Sequence, residues 1–114
     1  DRTGSRVPKD MSLNTKKAVE VFAGLAHDRR LEIFRHLVRA GYNGASPSAI
    51  QEELTVSAST LSFHLKNLRS TDLISVKREG RKLIYCANFD LMDETIGYLV
   101  KNCCTGHHKI DTKL

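Results

Sequence analysis

The chain has 114 residues, room for one domain whose modest core invites a partner chain to cover more. Hydrophobic residues make up 40% and charged residues 27%, the balance of a globular protein, and no apolar run approaches the roughly 18 residues of a membrane span. The net charge of +5 points to a polyanionic partner, a solvated basic surface being the plain alternative. Three cysteines without framework spacing exclude a disulfide scaffold, and no secretory signal pattern is present, so a cytoplasmic protein with free or ligating thiols is expected. The opening DRTGSRVPKD, residues 1–10, reads as a vector-derived leader. It holds three basic and two acidic residues, so the remainder keeps +4. The domain is expected over 11–104, with a flexible tail at 105–114.

From residue 15 to 26, TKKAVEVFAGLA places Val19, Phe22 and Ala26 at helical spacing. Asp28 is an expected N-cap for a second helix, DRRLEIFRHLVRAG, with Leu31, Phe34, Leu37 and Val38 on one face and Gly41 as its terminator. After the loop YNGAS, Ser46 and Pro47 read as N-cap and first helical residue of PSAIQEEL, with Ile50 and Leu54 inward. Thr55 and Val56 form a turn, and Ser57 caps ASTLSFHLKNLRST, whose apolar stripe is Leu61, Leu65 and Leu68. A short helix, a tight turn and a second helix with a polar N-terminal half make a helix-turn-helix. The period then changes to two. ISVKRE and KLIYCA, joined through Gly80 and Arg81, read as a hairpin. Asn88 or Asp90 caps a last helix, LMDETIGYLVKN. The expected fold is mainly α with one β-hairpin, in the order α-α-α-α-β-β-α.

The second helix of the pair begins with Ser57, Ser59 and Thr60, followed by Ser62, His64, Lys66 and Asn67. Small hydroxyl residues at a helix start allow close approach to a duplex, and their OH groups and the free backbone N–H groups bond phosphates or base edges. His64, Lys66 and Asn67 can add contacts. On this helix alone, capping and solvation would explain the same residues equally well. The hairpin tip KREGRK shifts the balance, because Lys77, Arg78, Arg81 and Lys82 crowd four positive charges round one glycine, and phosphates are their natural partner.

The stretches GLAHDRRLEIFRHL, STLSFHLKNLRSTDLI and KREGRKLIYCAN make residues 25–88 resemble the winged-helix core of the ArsR/SmtB repressors. The SxHLxxLxxxxLI pattern from Ser62 to Ile74 and the RxGRxxxY pattern from Arg78 to Tyr85 carry the resemblance. It implies a homodimeric winged helix-turn-helix repressor that binds double-stranded operator DNA, pairs through its first and last helices, and lets go when an ion or small thiophile binds. It also implies that Ser57, Ser59, Thr60, Ser62 and His64 read DNA while Arg78, Arg81 and Lys82 hold the wing to the backbone; Lys66 is expected among the DNA contacts from its place on the helix.

Members of the family place effector ligands differently. A Cys-x-Cys in the first helix-turn-helix element is absent here, since that stretch reads SAIQEEL. An Asp-x-His at the start of the last helix is absent too, since that start reads FDLMDET. NCCTGHH remains, and some arsenic-responsive members carry such a Cys-Cys pair with a third cysteine beyond it, which this chain lacks. Met92, Ile96, Leu99 and Cys103 form one helical stripe, which would aim Cys103 at the dimer seam, with Gly106 ending the helix. Neighbouring thiolates suit a soft, thiophilic ion, so trivalent arsenic, inorganic or organic, is the expected effector on Cys103 and Cys104, with antimonite as a further candidate. The third donor stays open. It could be Cys86 from a partner chain if the helices cross the seam antiparallel, or His107 or His108, or the carbon of a monosubstituted arsenical. Zinc on Cys103, Cys104, His107 and His108 is a weaker alternative, because adjacent side chains diverge. A redox role ranks lower still, and simple packing is the plain reading of Cys86. An enzyme is not expected, since no base is fixed beside either cysteine.

Overall fold

The computed structural model describes residues 13–103, so the expectations for residues 1–10, for Cys104 and for the tail at 105–114 lie outside the described residues. Helix α1 spans Thr15–Leu25, α2 Asp28–Ala40, α3 Pro47–Leu54, α4 Ala58–Ser70 and α5 Phe89–Val100. Strands β1 (Ile74–Glu79) and β2 (Lys82–Ala87) form one antiparallel pair, and a 3-10 turn covers Gly41–Asn43. Among the described residues no helix is long and apolar enough to cross a membrane.

Local chemistry sets the boundaries. Ser46 caps α3 by accepting from the Ala49 N–H at 3.2 Å, with Pro47 at the first helical position, where its missing donor costs nothing. Asn88 caps α5 through the Leu91 N–H at 3.1 Å. The cap of α2 is His27 rather than Asp28: its Nδ1 accepts from the Arg29 N–H at 3.1 Å, and Asp28 becomes a first-turn carboxylate facing the helix dipole. Gly80, with φ +65°, starts a two-residue turn whose second residue, Arg81, has no positive φ, the pattern of a type II′ hairpin.

The core gathers Ile33 and Leu37 of α2, Ile50 of α3, Leu61, Leu65 and Leu68 of α4, and Leu73 and Ile74 leading into the wing. On α2, Phe34 and Leu37 are buried and Val38 packs against the core as expected, but Leu31 is 44% exposed and Ile33 is buried in its stead. On α1 the core takes Ala18 and Val21, and Val19 (59% exposed) and Phe22 point outward. Helix α1 is therefore apolar on two sides, and only one of them meets this chain's core. The hydroxyls of Thr15 and Tyr98 hydrogen-bond each other and hold α1 beside α5.

The last helix corrects an expectation. It stops at Val100, because Lys101 turns extended (φ −60°, ψ 132°) and Asn102 enters the left-handed region at φ 61°, a conformation Asn tolerates better than most residues. Cys103 is thus off the helix, its N–H bonded to the Val100 carbonyl at 3.0 Å, and it does not extend the stripe of Met92, Ile96 and Leu99.

Candidate nucleic-acid interface

Helices α3 and α4 are joined by a strained turn. Thr55 sits at φ 52°, ψ 59°, and Gln51 Nε2 donates to the Val56 carbonyl at 3.4 Å across it. Arg29 of α2 donates to the Leu54 carbonyl at 3.2 Å and so fixes the turn to the body of the domain. Ser57 then starts α4: its Oγ accepts from the Thr60 N–H at 3.2 Å and lies 2.9 Å from Thr60 Oγ1. Ser57 is therefore largely spent on capping, while Ser59, Thr60 and Ser62 stand exposed.

With Leu61, Leu65 and Leu68 buried, the opposite face of α4 carries Ser59, Phe63, Lys66 and Ser70, at i, i+4, i+7 and i+11. Arg69 is exposed on its flank and Asn67 is half-buried. Between α4 and β2 runs an open groove of about 400 Å³ lined by Ser62, Leu65, Lys66, Arg69, Ser70 and Tyr85. The register pairs Val76 with Tyr85 and Arg78 with Leu83, so Arg78 and Tyr85 share the sheet face turned toward that groove. The opposite face carries Lys77, Ile84 and Cys86 against the loop before α3, where Lys77 Nζ donates to the Tyr42 carbonyl at 3.5 Å.

The charges on this surface are mostly uncompensated. Lys77 pairs with Glu79 at 3.5 Å. Among the described residues none of Lys66, Arg69, Arg78, Arg81 and Lys82 pairs with a carboxylate. Five cations along one helix and the adjoining hairpin leave a field that phosphates would neutralise.

His64 departs from its expected place. It is 5% exposed, turned inward against the His27 ring at a centroid separation of 4.6 Å, with the edge of Phe63 at 5.4 Å. Its Nδ1 is buried with no hydrogen-bond partner among the described residues. Burial, then the neighbouring His27, Arg30 and Arg29, hold its pKa below the ordinary 6.5. His64 therefore lies on the inner side of α4, away from the exposed face that carries Ser59, Phe63 and Lys66. Conversely, reasoning from residue type passes over Phe63 and Arg69. The helical wheel opposite the leucine stripe is the signal that finds them.

Cys86 is half-buried in β2, and its thiol is directed to the Tyr42 carbonyl at 3.6 Å. It is a free cysteine. Among the described residues no group of three or more His, Cys, Asp or Glu side chains is placed to hold a metal ion.

A helix-turn-helix whose second helix presents an open polar face, followed at once by a basic hairpin, defines a winged-helix DNA-binding domain. Residues 25–77 match a family model described as a helix-turn-helix domain. The transcriptional activator HlyU of Vibrio cholerae is 32% identical over 77 residues, covering 68% of each chain. An ArsR-like transcriptional regulator from Rhodococcus sp. RHA1 has a similar structure, with TM-score 0.66 and 28% identity over 74% of this chain and 76% of that one. The homodimeric winged helix-turn-helix DNA-binding domain of Mb0332 from Mycobacterium bovis shares the fold at TM-score 0.62 and 24% identity, over 82% and 89% of the two chains. The chain belongs to the ArsR/SmtB family of winged helix-turn-helix transcriptional regulators.

Proposed function

We propose that the protein is a homodimeric repressor that binds operator DNA through α4 and the wing and releases it when trivalent arsenic binds Cys103 and Cys104. The observation that carries the DNA-binding part is the continuity of the exposed α4 face, through the groove at Tyr85, with the unpaired cations of the hairpin. Ser59, Thr60, Ser62 and Lys66 face the major groove. Arg78, Arg81 and Lys82 hold phosphates, and Ser57 presents the capped helix start. Val19 and Phe22 of α1 and Leu99 of α5, 62% exposed, form the apolar surface that a second copy covers. Two recognition helices then meet half-sites about one DNA turn apart.

Two neighbouring thiolates beyond the end of α5 suit a thiophilic metalloid. Capture requires the reduced form of Cys103. Cys86 could serve as a third donor only by leaving the Tyr42 carbonyl. An ion held beside the α1–α5 surface alters how the subunits pack, hence the spacing of the two α4 helices, and affinity for DNA falls. In a second reading oxidation is itself the signal: the thiols of Cys103 and Cys104 give up two protons and two electrons to a peroxide and form a disulfide.

Fluorescence anisotropy of the reduced protein on labelled promoter DNA tests this, with arsenite, a monosubstituted trivalent arsenical, zinc and hydrogen peroxide titrated in parallel. Release by an arsenical near stoichiometry is expected, and Cys103→Ser/Cys104→Ser should bind DNA and no longer release. Release by peroxide alone moves the function to redox sensing. Release by zinc alone brings His107 and His108 into the site.

A further inference from the structure

The outward stripe of α4 contains one residue that hydrogen bonding to DNA does not explain. Phe63 is 61% exposed, yet its neighbours on that face are Ser59, Ser62, Lys66 and Ser70, all polar and exposed. An apolar surface for protein docking is a contiguous patch. Here a single ring stands among hydroxyls and cations. The ring is also positioned: the buried imidazole of His64 meets it at 5.4 Å and an interplanar angle of 63°, steadying one side and leaving the rest open. The small side chain of Ser59, one turn earlier, leaves the N-terminal approach to the ring clear.

The surface around the ring is basic, which selects a polyanion as the occupant. In the major groove of a duplex the apolar feature at a base edge is the C5-methyl of thymine. Cytosine has only hydrogen at that carbon. Resting on the reading of α4 as the recognition helix, we infer that Phe63 packs against the C5-methyl of a thymine and sets the requirement for that base at one position of each half-site. Ser59, Ser62 and Lys66 supply polar contacts round it.

The test uses a duplex that the full-length protein selects from a random library. Each thymine is replaced singly by deoxyuridine, which deletes the methyl and keeps the Watson–Crick and major-groove hydrogen-bonding groups. Affinity is measured by anisotropy. The wild-type protein should weaken by about fourfold, the worth of one buried methyl, at one thymine per half-site and little elsewhere. Phe63→Ala should bind the thymine and uracil duplexes equally, and Phe63→Leu should restore part of the discrimination. Circular dichroism confirms that the variants fold. Uniform affinity of the wild-type protein across all uracil duplexes overturns the inference, as does methyl sensitivity that survives in Phe63→Ala. Both results leave DNA binding itself intact. Failure to select or saturate any duplex overturns the DNA-binding function and this inference together.

Discussion

The imidazoles of His27 and His64 pack at a 4.6 Å centroid separation, joining the α1–α2 junction to the underside of the recognition helix. One ring caps α2 and the other is buried beneath α4, so the two imidazoles tie the orientation of α4 to the α1–α2 junction, with Arg29 and Arg30 close by.

The stability of the domain should therefore fall on acidification. The folded chain holds His64 below 6.5, chiefly by burial, and the unfolded chain restores the ordinary value. As pH falls, the unfolded state takes up the proton first. The contribution is fully present above pH 6.5 and is lost as pH drops through that value toward the folded pKa. Urea unfolding across pH 5–8 should show this slope, and His64→Leu should flatten it. An unchanged slope in the variant would place the dependence elsewhere.

Gly44 carries the loop onto the wing strand. Its φ is +72°, and a Cβ there would lie 2.5 Å from the Tyr85 carbonyl oxygen and 2.7 Å from Cys86 Sγ. The neighbouring Ala45 N–H donates to the same carbonyl at 2.9 Å. Gly44→Ala should cost about 2–5 kcal/mol, combining backbone strain with overpacking. A loss under about 0.5 kcal/mol in urea unfolding would contradict so close an approach.

Thr55 is a β-branched residue held at φ 52° in the turn between α3 and α4. Left-handed backbone costs an L-residue about 1–2 kcal/mol and costs glycine nearly nothing, though glycine gives back part of that in chain entropy. Thr55→Gly should raise stability by about 0.5–1 kcal/mol in urea unfolding. Destabilisation instead would show that the threonine side chain makes a compensating interaction.

Much of the fold is legible in the residues alone. The strand bounds, the Gly80–Arg81 turn and the caps Ser46 and Ser57 follow from period and turn chemistry, which act over a few residues, while the choice of Asn88 over Asp90 as the last cap is the structure's. Three of the departures share one cause. His64, Leu31 and Val19 each sit where a wheel allows two orientations, and which one is buried depends on what packs there from elsewhere in the chain. Residue type alone offers His64 as an outward side chain, and the packing of His27 from the α1–α2 junction turns it inward. The early end of α5 depends on Asn102 taking a left-handed turn, an option that the apolar stripe running through Cys103 conceals.

Arg81 stands at the wing tip and Arg78 on the face shared with Tyr85, neither paired with a carboxylate among the described residues. Each alanine substitution should weaken binding to every duplex alike. It should also reduce the salt slope of log affinity by about 0.9 for each phosphate the side chain neutralises, with stability unchanged. An altered sequence preference would mean that the wing reads bases.

The most direct measurement is a salt titration of wild-type protein and Lys66→Ala on a fluorescently labelled promoter duplex, followed by anisotropy. Saturable binding is expected, with log affinity falling linearly against log salt in the wild type and both weaker and less salt-dependent in the variant. Binding absent at low salt, or indifferent to salt and to Lys66, would contradict α4 and the wing as a DNA-binding surface.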